Sequence, residues 1–454
     1  MMKTSLYVTA SALAFGLAAG VAMAKVPADQ AGRLGQDLTP WGAEKGGGDG
    51  VAAWDGGLTA PPAGVSFNAK TQQHVNPFKG DAVKFTVTGA NAGQYADKLS
   101  EGQKAMLKQY SSYKIPVYES RRTCALPQYV YAASKNNATV GDLTADGDGV
   151  TGSIMGTAFP IANNAMEIVW NSKLRFRNFK VTRQFTAAPV QSNGTYSLIT
   201  VQDEAILRWS DPKYKKAEDL NNLSLYYIAN TVSPARLAGN VVLVHESINA
   251  ATSPRKAWSY NPGTRRVRVA PDIAYDNPGT NTDGMTTSDS FDGFNGAMDR
   301  YNWGFQGRKV KFIPYNNYDA INAKIADLVK PQHLNQDVMR YEPHRTWIVE
   351  AKLKPGNRHL YARRVMHIDE DSFTMSLVDI YDGRGQLFRF QELQTANYYH
   401  VPLCGAAGET IYDLTSGRYL AGQMRNEQPP VNYFADELND GRYTPEAIRT
   451  LGVR

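Results

Sequence analysis

The feature that most constrains the fold is a long succession of short segments in which apolar and polar residues alternate. In one of them, the apolar residues Trp347, Val349, Ala351 and Leu353 alternate with Thr346, Glu350 and Lys352. A period of two residues places alternate side chains on opposite faces of a β-strand. Segments of this kind, each a candidate strand, lie at 180–187, 196–209, 223–231, 240–248, 255–261, 265–270, 308–314, 344–354, 358–369, 373–382, 386–393 and 397–403.

Short turn motifs separate these segments. Asn-Pro-Gly at 261–263, Lys-Pro-Gly-Asn at 354–357 and Asp-Gly-Arg-Gly at 382–385 are typical of tight connections. Strands joined by such short turns must run antiparallel, because parallel strands need a crossover of about a dozen residues or more. Strand and helix patterns do not alternate, which disfavours a doubly wound α/β fold. We therefore predict a mainly β fold with several helices, built on one large, strongly curved antiparallel sheet.

A few helices are predicted to pack against the concave face of this sheet. Their ends are indicated by residues that cap or stop a helix, such as Ser, Asn, Asp or Pro at the boundary. The predicted helices cover 92–110, divided in two by a capping box of Ser100 and Gln103, then 165–173 behind Asn164, 320–330 between Asp319 and Pro331, and a last helix from Thr444-Pro445.

The N-terminus has the pattern of a secretory signal peptide. A basic start at Lys3 precedes an Ala/Leu-rich run from Leu6 to Val21, and Ala22-Met23-Ala24 is a small-x-small cleavage site. We therefore expect export and cleavage after Ala24. The alternative, an uncleaved membrane anchor, fits less well because the run is short and ends in a cleavage site. No later apolar run reaches the roughly 18–20 residues needed to cross a bilayer, so no transmembrane segment is expected in the mature chain.

Composition divides the mature chain into two parts. Residues 25–80 are rich in Gly, Pro and polar residues, which predicts an extended N-terminal arm lying on the body. Residues 81–454 are predicted to form a single large β-rich domain with packed helices. The two cysteines, Cys124 and Cys404, can form a disulfide in an oxidising compartment, and two separate buried thiols are the alternative.

Motifs for catalysis or cofactor binding receive little support. Gly-Asp-Gly-Val-Thr-Gly at 147–152 matches the glycine pattern of dinucleotide sites, but no apolar strand precedes it, so turn glycines are the better interpretation. His245-Glu246 lacks the second histidine of a zincin motif, and no cluster offers three or four metal ligands. We predict no metal and no cofactor. Acidic residues such as Asp369 and Asp371 leave a carboxylate pair for hydrolysis as an open alternative.

Aromatic residues carry more information than these motifs. The chain has 25 Tyr, 16 Phe and 7 Trp, many of them on candidate strands beside charged neighbours. On a curved sheet such residues can line a cavity for an apolar ligand, although ordinary core packing is the alternative. The net charge of +6 is spread along the chain, so nucleic acid is not an expected partner. The candidate lining residues are Trp258, Tyr260, Trp303, Phe305, Trp347, Phe388 and Phe390.

Several segments together resemble a known family. Residues 258–268 have the form W-x-Y-x-P-G-x-R-R-V-R, and further matching segments extend along almost the whole mature chain. The resemblance is to the uncharacterised envelope family catalogued as domain of unknown function 1329, often labelled outer-membrane lipoprotein-sorting-like. The other segments that carry it are 37–45, 291–296, 299–303, 314–318, 344–347, 353–356, 368–372 and 381–385.

The resemblance implies a location, a fold and a partner. Members are exported proteins of Gram-negative bacteria, so we expect a periplasmic location. Their strand-rich half is similar to the incomplete barrel of the periplasmic lipoprotein carriers, in which a curved sheet and helices enclose an apolar cavity. Members are associated with resistance-nodulation-division type exporters of hydrophobic compounds, which implies such a transporter as a partner.

The expected function is therefore that of a periplasmic binding or carrier protein for a lipid-like or other hydrophobic ligand, without covalent chemistry. Two alternatives remain open. One is an envelope hydrolase that uses a carboxylate pair on a lipid or polysaccharide. The other is a scaffold for a transporter complex, with the arm at 25–80 as its docking element.

Overall fold

In the computed structural model, the described residues are 25–452 without 66, 69–73, 271, 272 and 274. The predicted signal peptide, residues 1–24, lies outside this part of the chain. Seven α-helices occur among the described residues, and none of them is both long and apolar enough to cross a membrane. The helices are α1 (Ala28–Ala31), α2 (Glu101–Gln109), α3 (Gln128–Val140), α4 (Ala165–Lys173), α5 (Tyr318–Asn322), α6 (Ile325–Leu328) and α7 (Pro445–Gly452).

The strands supply most of the regular structure. They are β1 (Phe85–Val87), β2 (Ile115–Val117), β3 (Asp142–Leu143), β4 (Val150–Thr151), β5 (Lys180–Val190), β6 (Ile199–Leu207), β7 (Leu223–Ser233), β8 (Val241–Ser247), β9 (Lys256–Asn261), β10 (Arg266–Val269), β11 (Tyr301–Pro314), β12 (Tyr341–Leu353), β13 (Arg363–Asp369), β14 (Met375–Tyr381), β15 (Leu387–Tyr398), β16 (Leu403–Asp413) and β17 (Tyr419–Met424).

Fifteen of these strands form one large sheet. Its order is β1-β2-β12-β13-β14-β15-β16-β17-β5-β6-β7-β8-β9-β10, with β11 also paired to β12, while β3 and β4 form a separate ribbon. The sheet is not closed into a barrel, and the prediction of a mainly β fold around a large open sheet is confirmed. One pair is parallel, between β2 and β12, where Val117 lies opposite Tyr341. The sheet is therefore mixed, because the chain returns to β12 through a long excursion and not through a tight turn.

The clearest helix signals in the sequence correspond to helix ends. The Ser100 hydroxyl accepts a hydrogen bond from the backbone N–H of Gln103, and the Gln103 side chain accepts one from the N–H of Ser100, so the capping box precedes α2. Asn164 caps α4 through the N–H groups of Met166 and Glu167. The single helix predicted over 320–330 is wrong: the backbone is extended between α5 and α6, so two short helices occupy this stretch.

The last part of the sheet also differs from the prediction. Residues 397–403 were expected to form a strand, but β15 ends and β16 begins within this range, and a turn lies between them. β16 and β17 were not predicted. Their glycines and alanines weaken the apolar-polar alternation, and nearly all of their residues are buried. A strand covered on both faces has no polar side from which to recognise it.

A disulfide joins Cys124, which precedes α3, to Cys404 at the start of β16. The two Cα atoms are 5.5 Å apart, a separation typical of disulfides, and both residues are buried. The bond ties the N-terminal third of the chain to the centre of the sheet.

An isolated carboxyl group lies in the core between α2, β2, β12 and β15. Glu392 is fully buried, and one of its oxygens accepts hydrogen bonds from the hydroxyls of Tyr113 (3.3 Å) and Tyr341 (2.9 Å). Its second oxygen has no partner among the described residues. Burial raises the pKa of Glu392 to about 7, because the charged form loses its hydration and no cation replaces it.

This carboxyl group gives a prediction for stability against pH. A raised folded-state pKa stabilises the native state below the unfolded value of 4.5, and this contribution is lost as the pH rises through about 7. We expect Glu392→Gln to be more stable than the parent protein by about 1–3 kcal/mol at pH 8 and equal to it at pH 4. Urea denaturation at the two pH values measures this, and an equal difference at both would contradict it.

Candidate functional site

A cavity of about 390 Å³ opens on one face of the sheet. One wall is a continuous part of the sheet, made of β16, β17, β5, β6, β7 and β8, and α4 with the residues that follow it contributes further lining. Residues 275–298, here called the cover segment, contribute much of the remaining lining. The volume falls in the range of small-molecule sites, roughly 300–1,000 Å³.

Strand alternation determines which side chains face the cavity. Arg183 lies opposite Asp203, with Phe185 opposite Val201 along the same pair of strands. Because successive residues of a strand point to opposite faces, every second residue lines the cavity. On β5 and β6 these residues are Val181, Arg183, Phe185, Ala187, Val201, Asp203, Ala205 and Leu207.

Small residues explain why an open space remains at this place. Ala205 and Ala229 lie on β6 and β7, and Gly405 and Gly422 lie on β16 and β17 of the same sheet. A large apolar residue at such positions would fill the concavity, as happens in ordinary cores. The surrounding side chains are mainly apolar or aromatic and include Leu174, Leu207, Trp209, Leu225, Val244 and Leu420.

The cover segment is anchored at two ends of the cavity. On one side, Asn281 donates a hydrogen bond to the Thr231 hydroxyl of β7 (2.8 Å). On the other, both carboxylate oxygens of Asp289 accept from Arg364 of β13 (2.8 Å each), a residue whose side chain is completely buried. His359 lies 3.0 Å from the same carboxylate. Burial would raise the pKa of Asp289, but Arg364 and His359 lower it to about 2.

Among the described residues, four carboxylates line the cavity, and arginines pair with three of them. Asp203 pairs with Arg183, Glu246 with Arg255, and Asp292 with Arg175 and Arg177. The fourth, Glu409, accepts hydrogen bonds from Gln391 and from the backbone of Asp292, and burial raises its pKa to about 8. Paired carboxylates hold the walls together, and this arrangement does not favour the carboxylate pair of a hydrolase.

A second group of charged residues is buried but does not line the cavity. His344, Asp369 and Asp371 each present one potential metal-ligand atom, and these atoms lie within 4.8 Å of one another. Arg122 binds both oxygens of Asp371 (2.7 and 2.8 Å). Burial opposes protonation of His344, but Asp369 and Glu342 raise its pKa to about 9. His344 lies 3.3–3.8 Å from the carboxylates of Glu342, Asp369 and Asp371, so these residues and Arg122 form a buried ion-pair network.

None of the seven aromatic residues predicted from the sequence lines the cavity. Trp258 and Tyr260 pack around α7, and Phe390 stacks on Tyr412 in the core. Trp303, Trp347 and Phe388 pack against a second core cluster, and Phe305 is 43% exposed beside Trp347. Large rings fill space where strands and helices meet, whereas the cavity exists where the wall residues are small.

Comparison with known proteins places the chain in a family. The model of the family described as "Protein of unknown function (DUF1329)" matches residues 86–449. The uncharacterized protein PA3922 of Pseudomonas aeruginosa is 44% identical over 459 aligned positions, which cover 100% of both chains. Two solved structures, each 12% identical, are similar over 62% of this chain.

The first of these is a DUF1329 family protein from Desulfovibrio piger, with a TM-score of 0.43 over 96% of its chain. The second is the LolA superfamily protein NE2245 from Nitrosomonas europaea, with a TM-score of 0.37 over 98% of its chain. The family match covers most of the sequence and agrees with the resemblance noted in its motifs. The chain therefore belongs to the DUF1329 family.

Proposed function

We propose that this protein binds a lipid-like or other hydrophobic ligand in the cavity and carries it through the periplasm. The observation that supports this is the cavity itself, a space of about 390 Å³ with mainly apolar walls beneath an anchored cover segment. Burial of apolar ligand surface contributes roughly 25 cal/mol per Å² before the costs of association are subtracted. A cavity of this size is therefore sufficient for binding without any covalent step.

The proposal includes a location and a partner. The signal-peptide pattern at residues 1–24 supports export, with cleavage after Ala24. The family resemblance supports an association with a resistance-nodulation-division type transporter, which would deliver or receive the ligand.

A substitution that fills the cavity tests the proposal. Ala229 lies on the cavity face of β7, so Ala229→Trp would place an indole ring in the space that the ligand needs. We expect the affinity for the hydrophobic fluorescent probe N-phenyl-1-naphthylamine to fall at least about tenfold. Fluorescence titration measures the affinity, and native mass spectrometry of the purified protein detects any lipid carried with it.

The matched control is Ala132→Trp, which adds the same side chain at an exposed position of α3. This variant should bind the probe as the parent protein does. The proposal is rejected if the parent protein binds neither the probe nor any lipid, or if the Ala229→Trp variant binds as tightly as the control.

A further inference from the structure

The cavity carries more positive than negative charge. Among the described residues, six basic and four acidic side chains line it. Burial raises the pKa of Glu409 to about 8, which reduces the negative charge of this carboxyl group near pH 7 and adds to the positive surplus. The basic residues are Lys173, Arg175, Arg177, Arg183, Arg255 and Arg425.

Two of these cations are fully compensated. Arg183 binds both oxygens of Asp203 at 2.8–3.0 Å, and the Tyr227 hydroxyl donates to the same carboxylate. Arg255 donates to Glu246 at 2.7 Å. Neither pair needs a further anion.

The surplus resides on the other cations. Arg175 and Arg177 share the single carboxylate of Asp292, at 2.5 and 2.9 Å. In the described part of the chain, the hydrogen bonds of Arg425 go to the Tyr433 hydroxyl (3.0 Å) and the Ala406 carbonyl (3.3 Å), which are neutral acceptors. The Nε atom of Arg177 is buried without a hydrogen-bond partner among the same residues.

Arg183 is close enough to repel both Arg177 and Arg425. Burial, followed by the charge of Arg175, lowers the pKa of Arg177 to about 10, and Arg183 adds to the effect. Burial and the neighbouring Arg183 lower the pKa of Arg425 in the same way. An uncompensated buried cation is costly, and an anion that enters the cavity would remove part of that cost.

Apolar residues flank this charged part of the wall. Along β5, Val181 and Phe185 lie on either side of Arg183, and along β6 Ala205 and Val201 lie on either side of Asp203. A ligand bound here therefore meets guanidinium groups and hydrocarbon surface within one cavity. Guanidinium groups match the geometry of carboxylates and phosphates.

We propose that the ligand is an anionic amphiphile, whose carboxylate or phosphate head is bound by Arg177 and Arg425 while its hydrocarbon tail occupies the apolar part of the cavity. This inference rests on the proposed function, because it names the class of ligand for the same cavity.

Three amphiphiles with the same tail test the inference on the unmodified protein. Hexadecanoate carries a carboxylate, hexadecyl phosphate carries a phosphate, and hexadecanol is uncharged. We expect at least one of the two anions to displace N-phenyl-1-naphthylamine at a concentration about tenfold lower than hexadecanol, and the better anion identifies the head group. Equal displacement by all three would overturn the inference and leave the proposed function intact, whereas displacement by none would reject both.

Substitutions test whether Arg177 and Arg425 cause the preference for an anionic head group. Arg425→Met and Arg177→Met retain much of the side-chain volume without the charge, and each should reduce the preference for the anion while hexadecanol binds as before. Arg384→Met, at a side chain that is 81% exposed, is the control and should leave the preference unchanged. An unaltered preference in both cavity variants would overturn the assignment to these two arginines.

Discussion

Replacing Asp289 with alanine is expected to lower the free energy of unfolding by about 3–5 kcal/mol. The substitution leaves Arg364 as a charge without its carboxylate, in a position where its side chain has no exposed surface. Phe294, Tyr301 and Tyr361 surround that guanidinium, with ring centroids at 5.0–5.3 Å, and they cannot replace a carboxylate. Urea denaturation followed by circular dichroism measures the loss.

The double variant Asp289→Leu with Arg364→Met separates the pair from the packing around it. Because both charges are removed together, we expect it to regain most of the stability lost in the single variant. A single variant that loses less than about 1 kcal/mol would show that the pair does not contribute as the structure indicates.

The Asp289 carboxylate also predicts a loss of stability at low pH. The pKa of Asp289 is lowered to about 2, so its contribution is present above the unfolded value of 3.8 and is lost as the pH falls from there toward 2. Since Asp289 anchors the cover segment, its protonation should also loosen the cavity, and the parent protein should retain a bound probe less well as the pH falls below 4. Asp289→Asn has no carboxyl group to titrate, so it should retain the probe less well than the parent protein at pH 7 and should lack this acid-dependent step.

Removing the disulfide is expected to cost about 5 kcal/mol in the chain-entropy description. Cys124 and Cys404 are separated by 280 residues, and a cross-link over so long a loop restricts the unfolded chain strongly. The double variant Cys124→Ala with Cys404→Ala keeps small apolar side chains at both buried positions. Its urea midpoint should be lower than that of the oxidised parent protein.

The parent protein treated with a reductant is the matched control, because it lacks the cross-link but keeps both cysteines. It should unfold at nearly the same urea concentration as the double variant. Mass spectrometry after alkylation reports the state of the thiols directly, and two free thiols in the purified, unreduced protein would contradict the assignment.

Local features of the fold were predictable from the sequence because they depend on neighbouring residues. The capping box of Ser100 and Gln103 and the cap at Asn164 each lie within four residues of the helix that they begin. The same applies to most strands between β5 and β15, in which apolar and polar residues alternate, and to the short turns between β9 and β10 and between β14 and β15. β16 and β17 were missed because burial on both faces and small residues remove the alternation on which the prediction depends.

The cavity could not be predicted because its parts are distant in sequence. Arg425 approaches Arg183 only because β17 pairs with β5, where Met424 lies opposite Thr186. Ala205 and Ala229 carry no signal by themselves, since an alanine in a strand is compatible with a packed core or with an empty space. Aromatic content indicated apolar packing, but it could not distinguish the core from the cavity.

The position of β17 in the sequence affects the order in which the strands of the cavity wall can pair during folding. Strands β5 to β10 are complete once residue 269 has been synthesised, but β5 lacks its second neighbour until Tyr419–Met424 has followed. Pairing between segments so far apart in sequence is slow, and an unpaired strand edge is exposed meanwhile. The cavity wall can therefore be completed only after residue 424 has been synthesised.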